Sequence, residues 1–304
     1  MRGSTREFAT DQESGIDRAA RLRGRRLWIR GLARHRAAMV GTVLLSMIAL
    51  ASVIGPIVVQ YDAERPDLER ILQPPSGQHL FGTDELGRDV MTRTLSGGRV
   101  SLIVGVLAMS LALVTGILLG SLAGYFHRLD NFVMRLTDGA QAFPPIVVLI
   151  VLGSLVGTDI STVILVIGAL RWMNVTRLVR ASFLQLRVKE FVEAARAMGA
   201  SDARIIVKHI LPNSLGPIVV AGTLGIAGAI LAESTLSFLG FGVQPQVPTW
   251  GNMLRSAQDQ LYRAPWTAVF PGLFIFLTVT SINFLGDGLR DVLDPRRKNV
   301  NALP

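Results

Sequence analysis

The chain has 304 residues, of which half are apolar and only 17% are charged, well below the ~25% typical of soluble domains. Mean hydropathy is +0.43, so the composition predicts an integral membrane protein. The absence of cysteine excludes disulfides, thiolate metal sites and a cysteine nucleophile. None of the three lysines follows a glycine, so the chain has no Walker A motif and another chain must perform any nucleotide hydrolysis.

An arginine-rich segment, residues 1–36, precedes the first apolar run. That run is too long for the h-region of a cleavable signal peptide, so we interpret it as a retained first span. Residues 1–36 are then a cytoplasmic tail. An alternative for Arg18–Arg36 is a position along the inner leaflet of the membrane.

Apolar runs of about 20 residues predict the membrane spans, because a helix needs that length to cross the hydrocarbon core. A run from Ile160 to Thr176 is interrupted by Arg171. We predict an all-α polytopic membrane protein with six spans, and five spans are the main alternative. The other five runs are Ala37–Val59, Val100–Phe126, Ala140–Gly157, Ile210–Ala232 and Ala264–Gly286.

Glycine and proline mark special positions inside the spans. Pro144 and Pro145 in the third span, and Pro212 and Pro217 in the fifth, predict helix breaks or kinks. Glycine at every fourth position of the second span predicts close packing of another helix. These glycines are Gly116, Gly120 and Gly124.

Basic residues concentrate in alternate loops. Residues 1–36 contain ten arginines and four acids, the loop 177–208 has seven basic and three acidic residues, and 287–304 has four and three. The loop 60–99 has five basic and seven acidic residues. With six spans the three basic segments share one side, which the positive-inside rule assigns to the cytoplasm. Since the basic residues follow this topology, the net charge of +9 does not indicate nucleic-acid binding.

A short amphipathic helix is predicted in the loop between the fourth and fifth spans. Gly199 is expected to end this helix, and Ser201 followed by Asp202 to cap the next one. The helix has small apolar residues that suit docking to another protein; an interfacial helix on the lipid headgroups is the alternative. Its predicted narrow apolar face consists of Phe191, Ala194, Ala195 and Met198, at i, i+3, i+4 and i+7.

Some polar residues and helix breaks in or next to the spans are candidates for lining a path across the membrane. A charge buried there without a partner costs a few kcal/mol, so it needs either a water-filled path or a partner. Glu233, towards the outer end of the fifth span, fits a path or a structural pair equally. For Asp138 and Arg171, expected near the cytoplasmic ends of their spans, structural pairing is favoured. Asn283 and the break at Pro144 are further path candidates, although an interhelical hydrogen bond is the favoured interpretation of Asn283.

The external loop contains Asp84, Arg88 and Asp89, which could shape the outer mouth of a path or contact another protein outside the membrane. The alternative is a local turn held by acid–arginine pairs. The four histidines are scattered over both faces of the predicted topology, and the carboxylates form no pair typical of a hydrolase. We therefore expect no catalytic residue, metal site or cofactor in this chain.

The loop with the amphipathic helix resembles the EAA motif of importer-type ABC transporter permeases. That motif runs Glu-Ala-Ala, three residues, Gly, nine residues, Ile, one residue, Leu-Pro. Glu193-Ala194-Ala195, Gly199 and Leu211-Pro212 occur at these spacings, and His209 replaces the isoleucine with Ile210 beside it. Further blocks resemble the C-type permease of dipeptide and oligopeptide importers: Leu72–Ser76, His79–Asp84, Gly87–Val90, Ser237–Pro245, Trp250-Gly251, Asn283–Asp291 and Leu293–Pro295.

The resemblance implies a type I ABC importer permease fold in the cytoplasmic membrane of a bacterium, with both termini in the cytoplasm. The implied partners are a homologous second permease, two ATPase subunits that bind ATP and Mg, an extracytoplasmic peptide-binding protein and membrane lipid. The chain itself would be a transport subunit and not an enzyme. Its segments would be a tail at 1–36, a first helix at 37–59, an extracytoplasmic segment at 60–99, a five-helix core at 100–290 with the EAA loop at 177–212, and a tail at 291–304.

The resemblance further implies that the amphipathic helix is a coupling helix seated in a groove of an ATPase. The residues that would carry this coupling are Glu193, Ala194, Ala195, Met198 and Gly199. Related permeases import other solutes, such as nickel chelates, glutathione or opines, so these remain alternatives to peptides. An ion-coupled secondary transporter should show inverted repeats around a mid-membrane ion site, and an intramembrane enzyme needs a buried catalytic constellation; neither pattern is evident in the sequence.

Overall fold

The computed structural model describes residues 35–59, 61–157, 159–244 and 246–293. Within these ranges the chain is helical, and the only extended pairing is an isolated bridge between Thr83 and Asp89. The all-α prediction is therefore confirmed for the part of the chain that is described. Most of the predicted N-terminal tail and all of the chain after residue 293 lie outside it, as does Pro245.

Five long helices correspond to five of the predicted apolar runs, including the run interrupted by Arg171. Each is long and apolar enough to cross a membrane. Several extend beyond their apolar runs, because helical hydrogen bonding continues into the polar ends. Over the described residues the helices are α1 (Arg36–Val58), α2 (Val90–Tyr125), α3 (His127–Gln141), α4 (Pro145–Val156), α5 (Ile160–Leu186), α6 (Glu190–Ala197), α7 (Asp202–Phe238), α8 (Trp250–Ala257) and α9 (Trp266–Leu293).

The predicted third span, Ala140–Gly157, is not one straight helix. Its first residues belong to α3, and the axes of α3 and α4 are bent by 81°. Pro144 and Pro145 cause the break, because proline has no N–H for the helical ladder and disfavours helix in the residue before it. The predicted break is confirmed. At twelve residues α4 is about 18 Å long, too short to cross a core of about 30 Å by itself.

The helices α2 and α5 pack in parallel along the glycine repeat of α2. A Cβ atom built on Gly116 would lie 2.5 Å from Cβ of Val175, and one on Gly124 would lie 2.5 Å from Cβ of Phe183. Residue numbers therefore rise together along the contact, so the two helices run in the same direction. The predicted role of the glycine repeat in close helix packing is confirmed.

This parallel arrangement determines the number of crossings. Because α2 and α5 begin on the same side, the chain between Tyr125 and Ile160 has to return across the bundle. The helices α3 and α4 make that return as a bent pair. The described helices thus make six crossings, and α1 begins on the side where α9 ends.

The remaining long helices pack antiparallel to their neighbours. Gly105 of α2 faces Ile230 of α7, whereas Leu113 of α2 faces Gly222, so the two numberings run in opposite directions. Gly41 of α1 lies against the end of α9 in the same manner. The core lies between α2, α5, α7 and α9, while α1 leaves most of its apolar side chains exposed.

Candidate functional site: the α5–α7 loop and the polar residues of the bundle

The loop between α5 and α7 contains the predicted amphipathic helix, α6, which ends where the sequence predicts. Gly199 has φ +80°, a left-handed conformation that favours glycine. The amide of Ala200 donates to the carbonyl of Ala195, and the amide of Gly199 to that of Arg196, both at 3.0 Å. These two bonds form a Schellman motif. Ser201 takes the predicted N-cap position of α7, but its side chain makes no capping hydrogen bond.

The prediction that α6 has a single apolar face is wrong, because the structure divides its apolar residues between two faces. Val192 and Ala195 are 0% and 2% exposed and pack into a core cluster with side chains of α2, α5 and α7. Phe191 and Met198 remain 40% and 81% exposed, and Ala194 is exposed beside them. Ala195 therefore fixes α6 to its own chain. Sequence reasoning missed Val192, although its three-residue separation from Ala195 predicts a shared face.

A π-helical turn at the start of α7 brings an isoleucine into this core. The turn covers Ile205–Ile210 and is followed by regular helix from Leu211. A π turn contains one residue more than an α turn, which shifts the side chains around the axis. His209, at the motif's isoleucine position, is partly exposed, whereas Ile210 is fully buried in the cluster that holds α6. Ile210, and not His209, therefore supplies the apolar contact of this part of the motif.

Polar contacts tie the same loop to the end of α2, and the nearby ends of α3 and α5 to each other. The Tyr125 hydroxyl donates to the Asp202 carboxylate at 2.5 Å, and its hydrogen bond with Arg196 raises the pKa of that guanidinium. Arg180 of α5 pairs with both carboxylate oxygens of Asp130 in α3, one of them at 2.7 Å. The Tyr125 bonds and the buried face of α6 join the loop to the bundle.

The outer-loop candidates Asp84, Arg88 and Asp89 form a buried turn and are only 5%, 8% and 4% exposed. One Asp84 oxygen accepts the amides of Leu86 and Arg88, both at 2.9 Å, and the other accepts Arg88 Nε at 2.8 Å. Arg93 Nε lies 3.4 Å from that second oxygen. These contacts agree with the alternative of a local turn held by acid–arginine pairs.

Asp89 joins this turn to α2. One oxygen accepts the amide and the hydroxyl of Thr92, at 2.7 and 2.8 Å, and thereby caps the helix. The other lies 2.9 Å from Nδ1 of His79, a side chain that is 3% exposed. The three candidates are therefore used within the chain, and they shape the end of α2.

The three path candidates have different surroundings. Glu233 is fully buried, and its carboxylate accepts the hydroxyls of Ser101 at 2.9 Å and Ser237 at 2.8 Å. Within this chain it therefore connects α2 to α7 and lines no open path. Asn283 is exposed on α9, where its side chain makes no hydrogen bond to any described residue. Pro144 is exposed at the break between α3 and α4.

Asp138 and Arg171 also differ from each other. Asp138 pairs with Arg177 at 2.5 Å, which confirms the interpretation as a structural pair. Arg171 is partly buried and donates to the carbonyl oxygen of Gly228, and it forms no ion pair with the described residues. Its predicted depth, near the cytoplasmic end of the span, stays a prediction. The helix continues past the apolar run to Leu186, which places Arg171 near its middle.

Two family models match this helical architecture. The model described as binding-protein-dependent transport system inner membrane component matches residues 116–299, and the N-terminal TM domain of oligopeptide transport permease C matches residues 25–75. The first covers more than half of the chain. The chain belongs to this family of ABC importer permease subunits and is a multi-pass protein of the inner membrane.

Curated relatives come from the same class of permease. A putative peptide transport system permease protein of Brucella abortus is 43% identical over 272 residues, covering 90% of this chain and 92% of the relative. The dipeptide transport system permease protein of Alkalihalophilus pseudofirmus is 40% identical over 269 residues, covering 88% of each.

Solved structures of ABC transporters have the same fold. An inward-facing methionine ABC transporter aligns with a TM-score of 0.56 at 20% identity, covering 67% of this chain and 98% of that chain. An amino acid ABC transporter aligns with a TM-score of 0.52 at 15% identity, covering 66% and 93%. At these identities the likeness establishes the fold, which is the predicted type I importer permease fold.

Proposed function

We propose that this chain is the translocation subunit of an ATP-driven importer that takes up dipeptides or oligopeptides delivered by an extracytoplasmic binding protein. The printed names of the Brucella and Alkalihalophilus relatives and the match to the N-terminal domain of an oligopeptide permease support this substrate class. A homologous second permease would complete the path. Two ATPase subunits would bind ATP and Mg and perform the hydrolysis, so this chain acts as a transport subunit and not as an enzyme.

The exposed face of α6 is the observation that carries the proposal. Glu193, Ala194 and Met198 are exposed on the side of the helix that points away from its own core. No described residue lies within 4 Å of a Cβ atom built on Gly199. Phe191 and Met198, seven residues apart on α6, are also exposed together, and phenylalanine and methionine are enriched in surfaces that another protein covers. We assign this face, without Ala195, to the groove of an ATPase subunit.

The buried face of α6 makes the contact mechanically useful. Val192 and Ala195 lie in one core with Phe183 of α5 and Ile210 of α7, so a displacement of α6 is transmitted to two long helices. Packed helices move as rigid bodies between a few stable arrangements. Closure of the ATPases would therefore change which end of the bundle is open. On this proposal α6 and both chain termini lie in the cytoplasm, and residues 60–99 and 240–263 lie outside.

Docking is tested by replacing Met198 with aspartate in the complete transporter, purified with its partner permease, ATPases and binding protein. The change touches no buried contact of this chain, because Met198 is 81% exposed. We expect the Met198→Asp variant to insert normally but to lose co-purification of the ATPases and peptide uptake. Leu80→Asp is the matched control, since Leu80 is also exposed, at 58%, but lies in the predicted external loop. Normal ATPase binding by Met198→Asp would refute the coupling role.

Orientation is tested with single cysteines, which the cysteine-free chain makes straightforward. A membrane-impermeant maleimide added to intact spheroplasts should label Leu80→Cys and spare Met198→Cys. After the membrane is opened, both variants should react. Labelling of Met198→Cys in intact spheroplasts would place α6 outside and remove the basis for ATPase coupling.

A further inference from the structure

Arg171 is a cation near the middle of a membrane-spanning helix. It lies eleven residues after the start of α5 at Ile160, about 16 Å along the axis. Its partner carbonyl, at Gly228, lies ten residues before the end of α7 at Phe238, about 15 Å from that end. Taking these two helix ends as one surface of the membrane, both helices place the guanidinium about half-way across a hydrocarbon core of about 30 Å.

The charge of Arg171 is not balanced by the described part of the chain. A guanidinium has five N–H donors, and the described residues supply one acceptor, the Gly228 carbonyl. Three carboxylates of the bundle are committed elsewhere: Glu233 to serine hydroxyls, Asp138 to Arg177 and Asp130 to Arg180.

Contact with lipid is also disfavoured as the resting state of Arg171. Its side chain is only partly buried, so the remaining donors face the outside of this chain in the groove between α5 and α7. An unpaired charge at this depth is strongly disfavoured in hydrocarbon and is found facing a bundle interior or a water-filled cavity. The groove between α5 and α7 is therefore a surface that faces the path or the assembly.

We propose that Arg171 binds the C-terminal carboxylate of the peptide as it passes the middle of the membrane. This inference rests on the proposed function. Peptides differ in their side chains, but each unmodified linear peptide has a terminal carboxylate, whose two oxygens match the planar fork of a guanidinium. The contact would replace the hydration that the carboxylate loses in the path. It would also bind peptides of any sequence, because it does not involve their side chains.

Gly228 positions the guanidinium for this role. A Cβ atom at Gly228 would lie 2.6 Å from Nη1 and 2.8 Å from Nη2 of Arg171. An alanine there would push the flexible end of the arginine aside while keeping its charge. Gly228→Ala therefore tests whether the position of the guanidinium matters, because the positive charge itself is kept.

The test compares trialanine with its C-terminal amide in proteoliposomes of the complete transporter, at concentrations that saturate the binding protein. Arg171→Gln should lower uptake of trialanine about tenfold, the loss of one charge-assisted contact, and leave uptake of the amide unchanged. Arg171→Lys should restore part of the difference, and Gly228→Ala should reduce trialanine uptake several-fold. Arg177→Gln is the control, because its charge is already paired with Asp138.

Equal losses for both peptides in Arg171→Gln would show a structural role and overturn the inference, as would an unchanged rate for trialanine. Loss of the second permease from the purified Arg171→Gln complex would show that a carboxylate of the partner subunit is the counter-ion of Arg171. That outcome would also overturn the inference. If the wild-type transporter imports neither form, the proposed peptide function fails and the inference fails with it. If the wild type imports trialanine, the proposed function holds, and the results for Arg171→Gln then test the inference alone.

Discussion

Replacing Gly120 by alanine should force α2 and α5 apart. The new Cβ atom would lie 2.6 Å from the carbonyl oxygen of Thr176 and 2.7 Å from Cβ of Val179. Ordinary contacts begin near 3.4 Å, so the helices have to separate by up to about 0.8 Å. Neither neighbour can rotate away, because one is a backbone atom and the other is fixed to the backbone. Overpacking of this kind costs about 1–3 kcal/mol, and the separation also loosens the contacts at Gly116 and Gly124.

Denaturant unfolding of the purified permease in detergent measures this effect, with Gly139→Ala as the control. Gly139 lies in α3 with no described atom within 4 Å of a built Cβ, so alanine there should be neutral or stabilise by about 0.5–1 kcal/mol. A Gly120→Ala variant as stable as wild type, in an experiment where Gly139→Ala behaves as expected, would refute the assignment of the glycine repeat to tight helix packing.

Three further changes test other parts of the structure. Val192→Ala removes a fully buried side chain that fixes α6 and should weaken the docking of α6 on the bundle by about 2 kcal/mol, seen as faster hydrogen exchange in the loop and fewer peptides imported per ATP. Asp89→Ala removes the cap of α2 and the partner of His79, so thermal unfolding should show a loss of about 2 kcal/mol, against no change for the exposed Asp259→Ala. Trp250→Phe deletes the indole donor to the Thr94 carbonyl, 2.9 Å away, and should destabilise by about 1–3 kcal/mol in the same assay.

The loop between α5 and α7 shows which features of a site can be predicted from residue patterns. Helical spacing located α6, and the special backbone freedom of glycine located its end at Gly199, because both signals are local. The same spacing could not distinguish the inward residue, Ala195, from the outward residue, Ala194. Which of the two alanines faces inwards depends on the direction of the chain where it leaves α5 and on the core into which Val192 packs.

The charged residues also show the difference between what the sequence predicts and what tertiary contacts decide. A sequence identifies Asp84, Arg88, Glu233 and Arg171 as ionisable groups in unusual places, but it does not supply their neighbours. Three of them are satisfied by groups of this chain, through a tight turn or through serine hydroxyls on two helices. Arg171 is the exception among the described residues, since α7 offers it a carbonyl and no carboxylate.

The sequence by itself determined the membrane class, five of the long helices, the proline break and the resemblance to importer permeases. Each of these follows from hydropathy, covalent geometry or fixed spacing along one stretch of chain, and needs no knowledge of what lies opposite. Only the tertiary structure decided that α2 and α5 run parallel, that the bent pair returns the chain between them, and which face of α6 is free. Features of this kind arise from contacts between residues far apart in the chain, such as Gly116 with Val175 and Ser101 with Glu233. There, packing and the satisfaction of hydrogen bonds select one of several arrangements that the local sequence allows equally.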